Sequence, residues 1–409
     1  MDILVPTGLA ALATLTFGYQ LGAPDAALPF LRACTSARAT NPFELTSCFQ
    51  VDPDSIEWGV AVGVVCLGAL AGSLLFGPVA DRFGRKMAIL LVNVPFVIGL
   101  LASAMAVNLF MFTIGRAIIG VGIGGCCVAV PLYLSELASL ENRALIGSFH
   151  QLAIVIGYVI VQLVGFGGRV PWRAVYWINF LICLVQLVLF YSIAPESPKF
   201  KYSTNNTQAM DLDQPNQRLS FNELIANPLA RKSLICACSL HLCQQLSGVN
   251  AVFMYAGAMF PDNPFMPLAI SGLNLVMTVV SILLVDRDGL GRRGLVIGSA
   301  WGCLIGLVLA GFYPSMGILL FIVSFAVGMG PVPWLMIGEL FPSESVAVAV
   351  SLAVSVNWLS NFIVTSGFPV LSSYLGGYKY VPFIFFLAMF LVYATWNVPE
   401  TKGRQADYI

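Results

Sequence analysis

Charged residues are scarce in this chain. Lysine, arginine, aspartate and glutamate together make up 10% of its 409 residues, and the formal net charge is zero. A water-soluble domain carries about 25% charged residues. The few charges of this chain therefore cannot form a water-facing surface for a protein of this size. The hydrophobic fraction of 58% instead predicts a protein surrounded by the lipid bilayer. The balanced charge offers no basic surface, so a nucleic acid is not expected as a partner.

Histidine is also rare, with two residues in the chain. No histidine–cysteine spacing matches a metal site, and no nucleophile–base pattern indicates an enzyme, so no metal, cofactor or catalytic residue is expected. Eight of the ten cysteines fall inside apolar runs, where they behave as small apolar residues. The other two, Cys34 and Cys48, flank a predicted outer loop, and the sequence leaves open whether they form a disulfide.

Long apolar runs dominate the rest of the sequence. A run of about 20 apolar residues is long enough to span a bilayer as a helix. The first run has no basic leader and no small-residue cleavage site, so we expect a retained helix rather than a signal peptide. Twelve spans are predicted, near 6–26, 57–79, 88–107, 110–133, 147–167, 173–194, 232–256, 266–285, 295–312, 316–337, 346–369 and 380–397.

The lysines and arginines are distributed unevenly between the two sides of these spans. With both termini placed in the cytoplasm, 14 of the 20 basic residues fall on the inner side. The other six, which include Arg116 and Arg173, fall in outer loops or at outer helix ends. Basic residues accumulate on the cytoplasmic side of membrane proteins, so the sequence predicts cytoplasmic termini.

Three signatures of the first half recur about 205 residues later in the same order. The turn 81–86 is echoed by 286–293, Ser135-Glu136-Leu137 by Gly338-Glu339-Leu340, and Pro195-Glu196-Ser197 by Pro399-Glu400-Thr401. Duplication of a six-helix unit explains this and is common in membrane transporters. We therefore predict a six-helix bundle at 1–195, a polar cytoplasmic linker with short helices at 196–231, a second bundle at 232–398 and a short tail at 399–409.

The recurring signatures bring acidic and basic residues together at the inner helix ends. One interpretation is a pair of charge latches that hold these ends in one state and release them in another. The alternative is basic residues that serve only to orient the chain, and the recurrence of the pattern favours the latch. The predicted latch residues are Asp81, Arg85, Glu136, Arg143, Glu196, Asp286, Arg292, Arg293, Glu339 and Glu400.

Side-chain amides are the conspicuous polar groups inside the apolar spans. They are Gln151, Gln162, Gln244, Gln245, Asn250, Asn274, Asn357 and Asn361. Any one of them could simply join neighbouring helices. As a set they indicate a binding site, because six of the eight lie in the second half, where Gly248 and the run 330–334 interrupt two spans.

The chemistry of these groups restricts the ligand. No lysine or arginine is placed in the middle of a predicted span, which argues against a carboxylate or a phosphate. Amides both donate and accept hydrogen bonds, as hydroxyl groups require, and Trp334 could cover the apolar face of a ring. An uncharged polyhydroxylated molecule therefore fits best.

Taken together, these motifs resemble the sugar porters of the major facilitator superfamily, and in particular the facilitative hexose transporters. The resemblance covers about residues 8 to 404. It rests on the turn 81–86, Pro131-x-Tyr133-x-x-Glu136, Pro195-Glu196-Ser197-Pro198, the run 244–250, Gly330-Pro331-x-Pro333-Trp334 and Pro399-Glu400-Thr401-Lys402-Gly403.

The resemblance implies an all-α membrane fold with twelve transmembrane helices in two pseudo-symmetric six-helix bundles. It also implies a central sugar site exposed alternately to either side, and an outer gate at Tyr255. The implied sugar contacts are Gln151, Ile154, Gln244, Gln245, Asn250, Asn274, Phe325, Trp334 and Asn357.

The chain departs from the pattern of its apparent relatives at several positions. Glucose-type members tend to carry Gln-Leu-Ser where this chain has His241-Leu242-Cys243, which weakens an assignment to glucose alone. Met254 replaces a tyrosine common at the outer gate, beside the retained Tyr255. Val346 stands seven residues after Glu339, where an arginine is usual, which puts one part of the second latch in doubt.

The first span carries the evidence on energy coupling. Proton-coupled relatives have an aspartate directly after Phe-Gly-Tyr, where this chain has Gln20, and glutamine cannot titrate. We therefore expect a uniporter for a hexose, with D-glucose favoured, that works as a monomer in the plasma membrane. Asp25 keeps a second hypothesis open, a proton-coupled sugar or polyol symporter, unless it is a solvated acid at a helix end. A third hypothesis, a sugar sensor that does not transport, is disfavoured by the short tail.

Overall fold

The structure is a computed structural model, and it describes residues 4–34, 43–138, 143–168, 170–198, 200, 221–285, 291–342, 345–403 and 408. Regular structure within these residues is helical. The long helices of the first half are α1 Leu4–Arg32, α2 Ile56–Phe83, α3 Arg85–Ala104, α4 Leu109–Leu137, α5 Arg143–Val164 and α6 Trp172–Ile193.

The second half begins with α7 Phe221–Ala226, the described part of the predicted linker. The remaining helices are α8 Pro228–Leu246, α9 Val249–Met254, α10 Ala256–Met259, α11 Phe265–Val285, α12 Arg292–Ala310, α13 Pro314–Val327, α14 Val332–Glu339, α15 Val346–Leu375 and α16 Val381–Asn397. Each predicted span is therefore helical, which confirms the predicted all-α membrane fold. Within the described residues, ten segments are long and apolar enough to cross a membrane, while the seventh span is broken and α16 is short.

Two spans of the second half are interrupted where the sequence predicted. Gly248 separates α8 from α9 and has φ +87°, a backbone conformation that favours glycine. The tenth span divides into α13 and α14 around residues 328–331. Proline cannot donate a backbone hydrogen bond, and the break contains Pro331, with Pro333 two residues later in α14.

Glycines let α2 and α4 pack backbone against backbone. A Cβ added to Gly68 would lie 2.1 Å from the carbonyl oxygen of Ala117, and one added to Gly120 would lie 2.2 Å from that of Val65. Gly72 and Gly124, one turn further along, are equally close to the facing helix. Small residues at four-residue spacing on both helices are typical of close packing in membranes.

Backbone contacts divide the chain into two compact units. The first unit comprises Met1–Gln214, Phe253–Ser271 and Thr365–Val370. The second comprises Pro215–Val252, Gly272–Val364 and Leu371–Ile409. In the first unit, Cys34 and Cys48 form a disulfide that joins the end of α1 to the segment before α2.

Candidate functional site

The interrupted spans of the second unit surround a cluster of buried side-chain amides. Gln244, near the end of α8, donates from Nε2 to the carbonyl oxygens of Met329 at 2.8 Å and Gly330 at 2.7 Å. The Met329 carbonyl is available because its helical donor, four residues later, would be Pro333, which has no N–H. The broken span thus supplies the acceptors that hold Gln244.

Three further amides, Gln245, Asn250 and Asn357, join Gln244 to form what we call the amide cluster. Gln245 Nε2 donates to Asn357 Oδ1 at 3.1 Å, and Asn250 Nδ2 donates to Gln245 Oε1 at 2.6 Å. Asn357 Nδ2 donates to Gln244 Oε1 at 2.8 Å. Each of these side chains is at most 8% exposed. The cluster therefore brings together four of the predicted sugar contacts.

His241 adjoins the cluster one turn before Gln245 on α8. Its Nδ1 lies 3.1 Å from Asn357 Nδ2. Its ring meets the predicted contact Trp334 edge to face, with the ring centroids 4.8 Å apart, and Trp334 itself remains 41% exposed. Phe325 is buried beside the break, where its carbonyl oxygen accepts from Gly330 N at 2.8 Å. Trp334 is thus linked to the cluster through His241, and Phe325 lies next to the break that holds Gln244.

The other predicted sugar contacts are placed separately. Asn274 is buried on α11, and no hydrogen bond joins its side chain to the amide cluster among the residues described. Gln151 and Ile154 belong to α5 in the first unit, where Gln151 is exposed and Ile154 is buried. A Cβ added to Gly18 would lie 1.7 Å from the Ile154 carbonyl oxygen, so α1 and α5 pack closely at this level.

The predicted outer-gate residue lies in the first unit, within a set of hydrogen bonds around residues 253–257. Tyr255 Oη donates to the carbonyl oxygen of Thr365 at 2.9 Å, and Tyr158 Oη donates to that of Phe253 at 2.9 Å. Both oxygens of Asp25 lie 2.9 Å from Gly257 N. Asp25 is 4% exposed, which is inconsistent with a solvated helix-end acid.

One expectation about charge is wrong. Arg116 is not at an outer helix end but about two turns inside α4, where it is fully buried. Its Nη1 donates to the backbone oxygen of Gln20 at 3.2 Å and to Gln20 Oε1 at 3.1 Å, and its Nη2 donates to the Val62 oxygen at 2.9 Å. No carboxylate pairs with it within the described part of the chain. The hydropathy pattern concealed it because its neighbours in sequence are apolar.

The first charge cluster consists of Asp81, Arg85, Glu136, Glu196 and Ser197. The Arg85 guanidinium pairs with Glu136 at 3.0 Å and with Asp81 at 3.4 Å. Ser197 Oγ donates to Glu136 Oε2. Glu196 Oε1 accepts from the backbone N of Arg85 at 3.0 Å and of Lys86 at 2.9 Å, at the first turn of α3. A carboxylate at this end of a helix is favoured by the helix dipole.

The second charge cluster repeats this construction with Arg292, Arg293, Glu339, Glu400 and Thr401. The Arg292 guanidinium pairs with Glu339 at 3.3 Å, and Thr401 Oγ1 donates to Glu339 Oε2 at 2.5 Å. Glu400 accepts from the backbone N of Arg292 at 2.9 Å and of Arg293 at 3.2 Å. Two predicted latch residues lie outside what the structure describes, namely Asp286 and the side chain of Arg143.

Some partners in these sites are not predicted from the sequence. Ser197 and Thr401 were visible in the repeated Pro-Glu-Ser and Pro-Glu-Thr signatures, but no role was given to their hydroxyl groups. His241 was noted only as a departure from a family pattern. Its contact with Asn357 joins positions 116 residues apart, and no local signal in the sequence reports such a contact.

Comparisons with known proteins match this chain to transporters along its whole length. The family described as "Sugar (and other) transporter" matches residues 7–211 and again 205–409. A curated relative from Gallus gallus, solute carrier family 2, facilitated glucose transporter member 1, is 31% identical over all of this chain and 92% of its own length. The human member 4 is 31% identical over 98% of this chain and 88% of its own. The xylose transporter XylE from E. coli, in an inward-open conformation, superposes with a TM-score of 0.81 at 23% identity, covering 99% of this chain and 98% of that one.

Proposed function

The chain belongs to the family of sugar (and other) transporters, and we propose that it carries a hexose, with D-glucose favoured, across a membrane by uniport. The observation that carries the proposal is the amide cluster. Four buried amides converge at the breaks of two spans, and within the described residues no charged side chain contacts them. Hydroxyl groups match such partners, whereas an anion or a cation would leave its charge uncompensated.

The aromatic neighbours support a sugar rather than a small polar solute. Trp334 is 41% exposed although it packs against a fully buried histidine, so part of its ring is available to a ligand. An indole face suits the apolar C–H surface of a pyranose ring. The names of the curated relatives, which are facilitated glucose transporters, point to the same substrate class.

The proposed mechanism is alternating access rather than covalent chemistry. The sugar binds among the amides, and its binding energy favours the conformation in which one side of the site closes. In this proposal the charge clusters hold neighbouring inner helix ends together in one state, and the hydrogen bonds of Tyr255, Tyr158 and Asp25 hold residues 253–257. We further propose that a monomer suffices, that both termini are cytoplasmic and that the protein resides in the plasma membrane.

A second candidate, proton-coupled sugar transport, is favoured by one observation. Asp25 is a buried acid in a membrane-spanning helix, and among the described residues no lysine or arginine pairs with it. Ionisable residues at such depth are functional candidates by default. A neutral Asp25 would bind the Gly257 N–H less strongly than a carboxylate does, so its protonation could be linked to movement of residues 253–257.

Radiolabelled glucose uptake into proteoliposomes, with and without an inward proton gradient, tests both candidates. Equilibration that the gradient does not change supports the uniporter. Accumulation above equilibrium that a protonophore abolishes, and that the variant Asp25→Asn loses, supports the symporter. If no hexose or polyol in a competition panel is taken up or bound, the proposed function is wrong.

A further inference from the structure

The amide cluster has a fixed hydrogen-bond direction that begins at the break in the tenth span. The carbonyl oxygens of Met329 and Gly330 can only accept, so the NH2 group of Gln244 must face them. Both N–H bonds of Gln244 are then used, and Oε1 points to the opposite side of the amide. This end of the network cannot turn over without leaving two backbone acceptors without a donor.

The orientation of Gln244 fixes the orientations of the other amides in turn. Gln244 Oε1 needs donors, and it receives them from Asn357 Nδ2 at 2.8 Å and Gln245 Nε2 at 3.5 Å. The remaining N–H of Gln245 reaches Asn357 Oδ1. Gln245 Oε1 is thereby left to accept from Asn250. Each amide orientation is therefore set by the one before it.

His241 ends the network on the other side. Asn357 has one N–H left after Gln244, and it points at His241 Nδ1, 3.1 Å away. Nδ1 must therefore be the acceptor, and the ring carries its hydrogen on Nε2. The side chain is fully buried, and Nε2 finds no acceptor among the described residues. Its edge-to-face contact with Trp334 holds the ring in place.

The groups left for a ligand are mainly acceptors. A carbonyl-type oxygen accepts two hydrogen bonds and an NH2 group donates two. By this count Gln244 is saturated, while Asn357 Oδ1 and Gln245 Oε1 each keep one acceptor site. Asn250 keeps its own oxygen and a single N–H. Without His241, its Nε2–H donor is lost and the second N–H of Asn357 becomes available instead, so Asn357 itself would offer a donor beside its oxygen.

We propose that His241 is a positioning residue that holds Asn357 so that the amide cluster presents oxygen acceptors to the sugar. This inference rests on the proposed function and deepens it: the cluster recognises a hexose through hydroxyl hydrogens that the sugar donates. The specificity-determining feature is the pattern of hydroxyl donors on the substrate. His241 acts through Asn357 and Trp334, and it touches the sugar only if Nε2 donates to it.

Deoxy and fluorodeoxy analogues of the transported hexose test whether the sugar donates its hydrogen bonds to the cluster, because fluorine cannot donate a hydrogen bond and accepts only weakly. Each analogue competes with labelled sugar for uptake by the purified wild-type protein in proteoliposomes. At the hydroxyl positions that contact the cluster, we expect the fluoro and deoxy analogues to bind equally poorly. One lost hydrogen bond corresponds to an affinity about 3- to 10-fold below that of the parent sugar.

His241→Phe keeps an aromatic ring against Trp334 and removes the nitrogen acceptor. We expect its KM to rise about 3- to 10-fold with kcat nearly unchanged, as for the loss of uniform binding. Because Asn357 can now donate, the fluoro analogue should bind better than the deoxy analogue at the affected position. His241→Asn returns an acceptor near the Nδ1 position and should restore the wild-type analogue pattern. The matched control is His150→Phe, at the other histidine of the chain, which should leave KM and the pattern unchanged.

The proposal is overturned if His241→Phe keeps the wild-type analogue pattern, or if His241→Asn fails to restore it. Thermal unfolding in detergent monitors folding, and His241→Leu replaces the phenylalanine variant if that protein does not fold. A wild-type protein that neither binds nor transports any hexose refutes the proposed function itself. A wild-type protein that transports, but binds fluoro analogues as tightly as the parent at every position, refutes only this inference.

Discussion

The two charge clusters have the same parts in the same order, but the glutamate that pairs with the arginine is more deeply buried in the first. In each, an arginine at the start of a helix pairs with a glutamate, a hydroxyl donates to that glutamate, and a second glutamate caps the helix. The Glu136 side chain is 5% exposed, whereas that of Glu339 is 27% exposed. An ion pair is screened less when it is buried, so the first cluster should be harder to open.

The half with the looser charge cluster is also the half with the broken spans and the amide cluster. Close packing through glycines occurs in both halves, between α2 and α4 in the first and at Gly306 and Gly317 of α12 and α13 in the second. The two halves therefore differ in their buried amides and helix breaks rather than in glycine packing. Local stability is commonly lowest where a protein binds and moves, so we expect it to be lower around the breaks of the second half.

The largest expected effect is on sugar uptake, when one amide of each half is substituted. Asn357→Ala removes a partner from Gln244, Gln245 and His241, and each buried polar group left unpaired costs roughly 1–3 kcal/mol. We expect sugar uptake to fall about 10- to 100-fold. Gln151→Leu, at an exposed amide of the first half, should lower it by about 3- to 10-fold.

Uptake in both variants must be normalised to the amount of protein in the membrane. A larger loss for Gln151→Leu than for Asn357→Ala would reverse the assignment of binding to the second half. Unchanged uptake in both variants would remove the proposed site altogether.

The next largest expected effect is on stability, when the arginine-paired glutamate of each charge cluster is substituted. Glu136→Gln leaves the mostly buried Arg85 without its closest carboxylate and should destabilise the protein by roughly 2–3 kcal/mol. Glu339→Gln should cost about 1 kcal/mol, because its pair is longer and more exposed. Melting temperatures of the purified proteins in one detergent measure the difference. Equal decreases would show that burial does not distinguish the clusters.

The capping glutamates should behave alike in the two halves. Glu196→Gln and Glu400→Gln each keep a side-chain oxygen but lose the charge that strengthens the bonds to two backbone N–H groups. We expect each to destabilise the protein by about 1 kcal/mol. A Cβ added to Gly84 or Gly291 would lie within 2.5 Å of the capping carboxylate, so both turns are built around it. Clearly different melting temperatures for the two variants would contradict the equivalence.

The smallest effect should come from strengthening the looser cluster. Val346→Arg places a second cation seven residues after Glu339, at the start of α15. A partly exposed ion pair of this kind is worth about 0.5 kcal/mol. We expect a small rise in melting temperature that disappears at high salt, together with slower uptake if opening of this cluster limits transport. Val346→Gln controls for the longer side chain without the charge.

The sequence predicted those parts of the molecule that depend on local pattern. Apolar run length located the spans, and Gly248 and the prolines at 331 and 333 located their breaks. The repeated signatures identified Glu136 and Glu339 as members of corresponding clusters. Contacts between distant positions were not accessible, because periodicity and spacing describe one helix at a time. The burial of Arg116 and the direction of the amide network both depend on partners from other helices.

The disulfide between Cys34 and Cys48 has a consequence for the orientation of the chain. Disulfides form in oxidising compartments and are rare in the cytosol. The bond lies directly after α1, which is long enough to cross a bilayer, so we expect the N-terminus on the opposite, reducing side. The disulfide supports the proposed cytoplasmic N-terminus independently of the distribution of lysine and arginine. A reductant that cannot cross the membrane should therefore reduce this disulfide when it is added to the outside of intact cells.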